Sequence, residues 1–220
     1  MVVLAVVALL MAIAAPSLVS LAPSRKSAAF ELVGTLESAR ARAVSLGQDI
    51  HVAFADGGFP VESDRFRAYG LFAADPDAEV ELEPGDAEGR RPLRQISPWY
   101  RLPEGLVFGR TRDFEAVPEA PFRTLQDSSR RQSFPVTVRA GSVVPTSLPF
   151  LSFGPRGEIA SPDFTEADAL HLGVVEGGYD PASRGIRLTR TRPGKSGGTF
   201  AQGELVGLGY YTGRATVLTD

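Results

Sequence analysis

The chain has 220 residues, 23 basic and 26 acidic side chains, a formal net charge of −3 and no cysteine. That balance gives no bulk attraction to nucleic acid or anionic lipid, and the missing thiols exclude disulfide frameworks, cysteine-ligated zinc and thiol chemistry. The length suffices for one domain with a proper core after a terminal segment is set aside.

Residues 1–24 contain no Asp, Glu, Lys, Arg or His. The apolar run 2–22, broken only by Pro16, Ser17 and Ser20, is long enough to cross the hydrocarbon core of a bilayer as a helix. A cleaved secretory signal would open with basic residues and end its apolar core after about 7 to 15 positions. Here the first charge is Arg25. The run therefore predicts a transmembrane half over 1–24, in which Leu4, Leu9 and Ile13 face lipid or neighbouring helices and Pro16 kinks the path.

Beyond it, Ala29, Leu32, Val33, Leu36, Ala39, Ala43 and Leu46 recur at helical spacing, with Arg25, Lys26, Glu31, Glu37, Arg40 and Arg42 between them. Gly47 follows as a C-cap glycine would. This predicts an amphipathic half over 25–47, continuous with the first half in one helix about 70 Å long. Leu32, Val33 and Leu36 are its candidate assembly residues.

Residues 48–220 read as a β-rich globular domain. Apolar and β-branched runs lie at 49–55, 66–73, 105–109, 134–138, 149–153, 170–175, 185–189, 205–210 and 214–218. Turns between them draw on 23 glycines and 17 prolines. The fold class expected is α+β, a long N-terminal helix packed on an antiparallel sheet or small sandwich.

Motifs for chemistry fail on their mechanics. The carboxylates of 74–98 do not match a calcium loop, since Val80 stands where the turn glycine belongs, and they fit a charged edge strand or loop. Gly194-Lys195-Ser196 lacks the earlier glycine of a phosphate loop, Thr189 occupying that place, and reads as a hairpin tip. His51 and His171 read as ordinary strand residues, Trp99 as packing, and no serine sits in a Gly-x-Ser-x-Gly elbow. Arg184, Arg187, Arg190 and Arg192 would make a basic stripe, but Arg187 has the wrong parity. No catalytic residue, cofactor site or metal site is predicted, and the chain is expected not to be an enzyme.

Several phrases carry a resemblance. Residues 2–17, an apolar stretch closing on Ala14-Ala15-Pro16-Ser17, are similar to the hydrophobic half of a type IV pilin-like helix. The phrase Leu36 … Ala39-Arg40 … Ala43 … Gly47 resembles the helix end of minor pseudopilins of the GspH/FimT family. So do Trp99 … Leu102-Pro103 … Gly105 … Phe108, the strand and turn Phe150-Leu151-Ser152-Phe153-Gly154-Pro155-Arg156-Gly157, and the closing Thr212-Gly213-Arg214.

The resemblance implies a non-enzymatic structural subunit of a type II secretion or type IV pilus-like assembly, a single-pass inner-membrane protein with its C-terminal domain in the periplasm. Implied partners are other pilin-type subunits through the N-terminal helix, inner-membrane lipid, and a prepilin peptidase acting on a leader expected upstream of Met1. Some FimT-like members hold DNA near the closing hairpin, which makes Arg214 the candidate DNA contact here. Thr216 stands where a second arginine is expected. The alternative is a membrane-anchored periplasmic module that binds DNA or a secreted substrate.

Overall fold

The computed structural model of the chain describes residues 24–79, 91–114, 122–127, 131–138, 141–160, 169–194 and 199–218. Helix α1 (Arg25–Leu46) opens on Ser24, whose backbone is extended (φ −67°, ψ 149°) and whose hydroxyl accepts from the Ser27 N–H at 3.1 Å. An extended N-cap ends the helical path at that residue. The single uninterrupted helix expected from the sequence is therefore corrected: α1 starts after Ser24 and has 22 residues, about 33 Å of rise. The signal was Pro23-Ser24, because proline disfavours helical geometry in the residue before it and serine is a strong N-cap.

The predicted membrane half, with Leu4, Leu9, Ile13 and Pro16, lies outside the described residues. Among the described residues no helix is long and apolar enough to cross a membrane. At its other end α1 stops where predicted. Gly47 takes the left-handed conformation (φ 63°) that favours glycine, and its N–H donates to the Ala43 carbonyl.

After the helix come the strands β1 (Ile50–Phe54), β2 (Ala68–Ala74), β3 (Leu93–Gln95), β4 (Tyr100–Arg101), β5 (Leu106–Gly109), β6 (Phe122–Thr124), β7 (Arg131–Thr137), β8 (Val143–Phe153), β9 (Ala169–Asp180), β10 (Gly185–Leu188), β11 (Thr191–Pro193), β12 (Thr199–Ala201), β13 (Gly203–Leu208) and β14 (Ala215–Leu218). They build two six-stranded sheets. The first runs β3-β2-β1-β8-β7, with β4 also on β2. The second runs β10-β9-β13-β14, with β5 and β6 also on β9. Only the β6 pairing is parallel among the described strands. β11 and β12 form a separate two-stranded ribbon on either side of the predicted hairpin tip, most of which lies outside the described residues.

Period-two alternation sorts the side chains into three clusters. Ile50, Val52 and Phe54 of β1, Leu151 and Phe153 of β8, and Leu172, Val174 and Val206 of the second sheet share one core with the helix stripe Ala28, Ala29, Leu32, Leu36, Ala39 and Ala43. The helix thus spans both sheets from one side. On the far face of the first sheet Phe59, Phe72, Phe134, Leu148 and Phe150 form a second cluster. On the far face of the second, Phe66, Val107, Phe114 and Val175 form a third. Full burial of Leu32 and Leu36 contributes roughly 2 kcal/mol each.

Two expectations change in detail. Leu46, the last residue of the predicted stripe, is 58 % exposed in the final turn of α1. The strand predicted from position 66 begins at Ala68, because Phe66 has φ 57° and delivers its ring to the cluster of the other sheet. Within the acidic stretch, the Asp75 and Asp77 carboxylates lie 3.7 and 3.8 Å from the Arg94 guanidinium, while 80–90 fall outside the described residues.

Candidate functional site

The helix presents three different surfaces to its surroundings. Its inner stripe is locked into the chain's own core: Leu32 and Leu36 are fully buried there, and Val33 packs half-buried beside them. These assembly candidates therefore hold α1 on its own sheets. Its outer face carries apolar side chains in water. Phe30 is 54 % exposed there, and Val44, 50 % exposed, stands one turn beyond Arg40 at the edge of this face, beside Gly157.

The third surface is a polar seam built from Glu37 and Arg40, two of the charged residues that lie between the apolar positions of the stripe. The Arg40 Nε–H donates to the Thr212 carbonyl at 2.6 Å and to the Gly157 carbonyl at 3.2 Å. The same guanidinium reaches Glu37 Oε2 at 3.3 Å. Glu37 Oε1 in turn accepts the Ala215 N–H at 2.9 Å. One Glu–Arg pair at i, i+3 therefore ties α1 to the turn after β8 and to the hairpin between β13 and β14. That hairpin carries the Thr212-Gly213-Arg214 phrase, and Gly213 has the positive φ (59°) that a tight turn requires and glycine allows. Nothing in the helical period marks Glu37 and Arg40 as interface residues, since their partners are main-chain groups more than a hundred positions away.

Arg214 is exposed, with its N–H on Thr212 Oγ1 and its carbonyl accepting from Gly209. Thr216 is exposed on β14 beyond it. The other arginines do not join them in a stripe: Arg190 pairs with Glu176 at 3.2 Å, and Arg184 sits in the turn before β10 with φ 49°. His51 lies in β1, its Nδ1 2.6 Å from Ser152 Oγ, and His171 lies in β9.

Among the described residues no three of His, Asp or Glu converge to hold a metal ion. Two carboxyl groups do approach one another near the helix end. Partial burial, then the Glu158 charge, push the Asp49 carboxyl above its ordinary value. In the core beneath α1 the Tyr69 phenol is pushed up to about 12, chiefly by burial.

A groove of about 370 Å³ opens where strand β4 faces the end of β7. Phe59, Val61, Trp99 and Val138 line it with apolar surface, and Asp64 and Arg101 with charge. Asp64 is 6 % exposed and accepts both Arg101 Nε and Nη2 at 2.9 Å, a bidentate pair. Trp99 packs edge-on against Phe59 and Phe72, with ring centroids 4.8 and 5.7 Å away, as the packing role predicted for it requires. Its indole Nε1 is buried with no hydrogen-bond acceptor among the described residues, a feature invisible in the sequence.

No protein-family model and no curated protein matches the chain. Among solved structures, it is similar to the minor pseudopilin EpsH from the type 2 secretion system of Vibrio cholerae, at 14 % identity and a TM-score of 0.38, over 88 % of this chain and 95 % of that one. It is also similar to the type IV minor pilin FimU of Pseudomonas aeruginosa strain PAO1, at 13 % identity and a TM-score of 0.34, over 88 % of this chain and 92 % of that one.

Proposed function

We propose that the chain is a structural, non-enzymatic minor subunit of a pilin-type assembly, either a type II secretion pseudopilus or a type IV pilus-like fibre. In this reading residues 1–24 anchor it in the inner membrane and the two-sheet domain stands in the periplasm. The observation that carries the reading is the pairing of a charge-free N-terminal run with a helix whose inner stripe is committed to its own core while Phe30 and Val44 remain exposed outside. A helix fixed rigidly to its domain, with apolar side chains facing outward, suits packing between subunits.

Because the chain has no cysteine, single cysteines give clean cross-links. Phe30→Cys and Val44→Cys are expected to cross-link to other pilin-type subunits in membranes, and Leu9→Asp or Ile13→Asp to abolish both membrane recovery and those cross-links. Normal membrane recovery and assembly of the Leu9 and Ile13 variants would refute the proposal. A second reading, a membrane-anchored binding module, draws on exposed Arg214 for DNA; it requires that Arg214→Ala weaken oligonucleotide binding while leaving cross-linking intact.

A further inference from the structure

A second groove, of about 640 Å³, lies where the short 3-10 turn Glu62–Asp64 faces the end of β9 and the loop before β5. Arg65, Arg67, Tyr179, Gly178, Glu62 and Glu104 are among the residues that line it. Packing between subunits through α1 makes no use of it.

Both arginines are half-buried and are held only by neutral groups among the described residues. Arg65 Nε donates to the Phe59 carbonyl at 2.9 Å and Nη1 to the Tyr179 hydroxyl at 2.6 Å. Arg67 gives Nε and Nη2 to the Leu102 carbonyl at 3.3 and 2.9 Å, and its Nη1 has only an exposed 3.5 Å contact with the Ser63 carbonyl. Carbonyls fix the two forks in place without neutralising them. Arg65 Nη2 has no acceptor among the described residues and keeps its access to solvent, so a molecule in the groove can reach it. The Tyr179 hydroxyl accepts from Arg65 and still has its own proton to give.

Donors preset in this way, on cations that have surrendered part of their hydration, are completed by an anion. Glu62 and Glu104 do not supply it, since both are exposed in water and neither pairs with a guanidinium. They do limit the charge of what enters: beside two cations and two rim carboxylates a single negative charge is accommodated, and a dianion is repelled. The groove also holds a free strand edge. The β5 ladder on β9 stops at Leu106 opposite Glu176, and the Gly177 N–H still reaches the Gly105 carbonyl. Past that point β9 pairs only with β10, so by alternation the main chain of Tyr179 turns to the groove side, with no strand beside it among the described residues. Over Gly178 the space is open, with no atom within 4 Å of where a Cβ would stand.

We propose that this groove binds the C-terminal carboxylate of an extended polypeptide segment. The carboxylate accepts from Arg65 Nη2, Arg67 Nη1 and the Tyr179 hydroxyl, and the residues before it run along the free edge of β9.

In the full chain, labelled with nitrogen-15 in detergent micelles, the amides of Gly105, Gly177 and Gly178 report on the groove. Acetyl-Ala-Leu-Ala as the free acid should move them saturably, with a dissociation constant of about 1 mM or tighter. The same peptide as its C-terminal amide should bind at least about tenfold more weakly, a comparison that needs no variant and so survives any misfolding. Tyr179→Phe, which removes only a hydroxyl, should weaken the acid about fivefold, and Arg67→Gln about tenfold, each with little effect on the amide. Unmoved glycine amides, or equal affinity for acid and amide, overturn the proposal. Tighter binding of inorganic phosphate or of acetate than of the peptide acid also overturns it, in favour of a site for small anions.

Discussion

Removing the Arg40 guanidinium tests whether the polar seam holds the helix to the turn after β8 and to the β13–β14 hairpin. In Arg40→Ala three acceptors lose a donor: the Thr212 carbonyl, the Gly157 carbonyl and the Glu37 carboxylate. A hydrogen bond to a charged group contributes about 1.5 to 3 kcal/mol when buried. The Thr212 bond is exposed and the Glu37 contact is long and partly solvated, so both are discounted and the Gly157 bond counts most. The expected loss is about 2 kcal/mol, or roughly 5 °C in Tm for a domain of this size. Glu37→Ala orphans the partly buried Ala215 N–H and should cost about 1 to 2 kcal/mol.

Because Glu37 and Arg40 also touch each other, the double variant should fall short of the sum by about 0.5 kcal/mol or more. Urea unfolding of the single and double variants gives these numbers. Hydrogen exchange at Ala215 locates them, and should speed up in Glu37→Ala. A loss below about 0.5 kcal/mol for Arg40→Ala, with unchanged exchange at Ala215, would refute the reasoning and leave the seam as a surface ion pair of ordinary weakness.

Two further outcomes follow from burial under α1. Leu36→Ala removes a fully buried side chain from the core shared by helix and sheets, and should cost about 3 kcal/mol in urea unfolding, whereas Val44→Ala, half in water, should cost less than about 1 kcal/mol. Tyr69 holds its proton up to about 12 in the folded chain, while an unfolded tyrosine ionises near about 10. Between those values the folded state binds more protons, so stability falls as pH rises, by on the order of 3 kcal/mol across the window. Tyr69→Phe should abolish that dependence; an unchanged alkaline unfolding profile would count against burial as its cause.

Residue periods made the helix and most of the long strands legible. The stripe from Ala29 to Ala43 and the stop at Gly47 depend on local spacing and on one glycine's conformational freedom, and both are in the structure. The break at Ser24 was also local, written in Pro23-Ser24, yet a hydrophobicity reading passed over it because apolar content and helical continuity are different properties. Strands of two or three residues, such as β3, β4 and β6, carry no readable period, and only their partners on β2 and β9 make them strands.

The amino-acid sequence by itself determined the charge-free opening, the amphipathic helix and its glycine stop, and the β-rich remainder, because each rests on neighbours within a few positions. Only the tertiary structure decided that Glu37 and Arg40 are interface rather than surface. It also buried the Trp99 indole N–H with no acceptor among the described residues, and split most of the strands into two sheets under one helix. Those outcomes depend on which distant backbone groups and side chains meet in space, and no local period encodes such meetings.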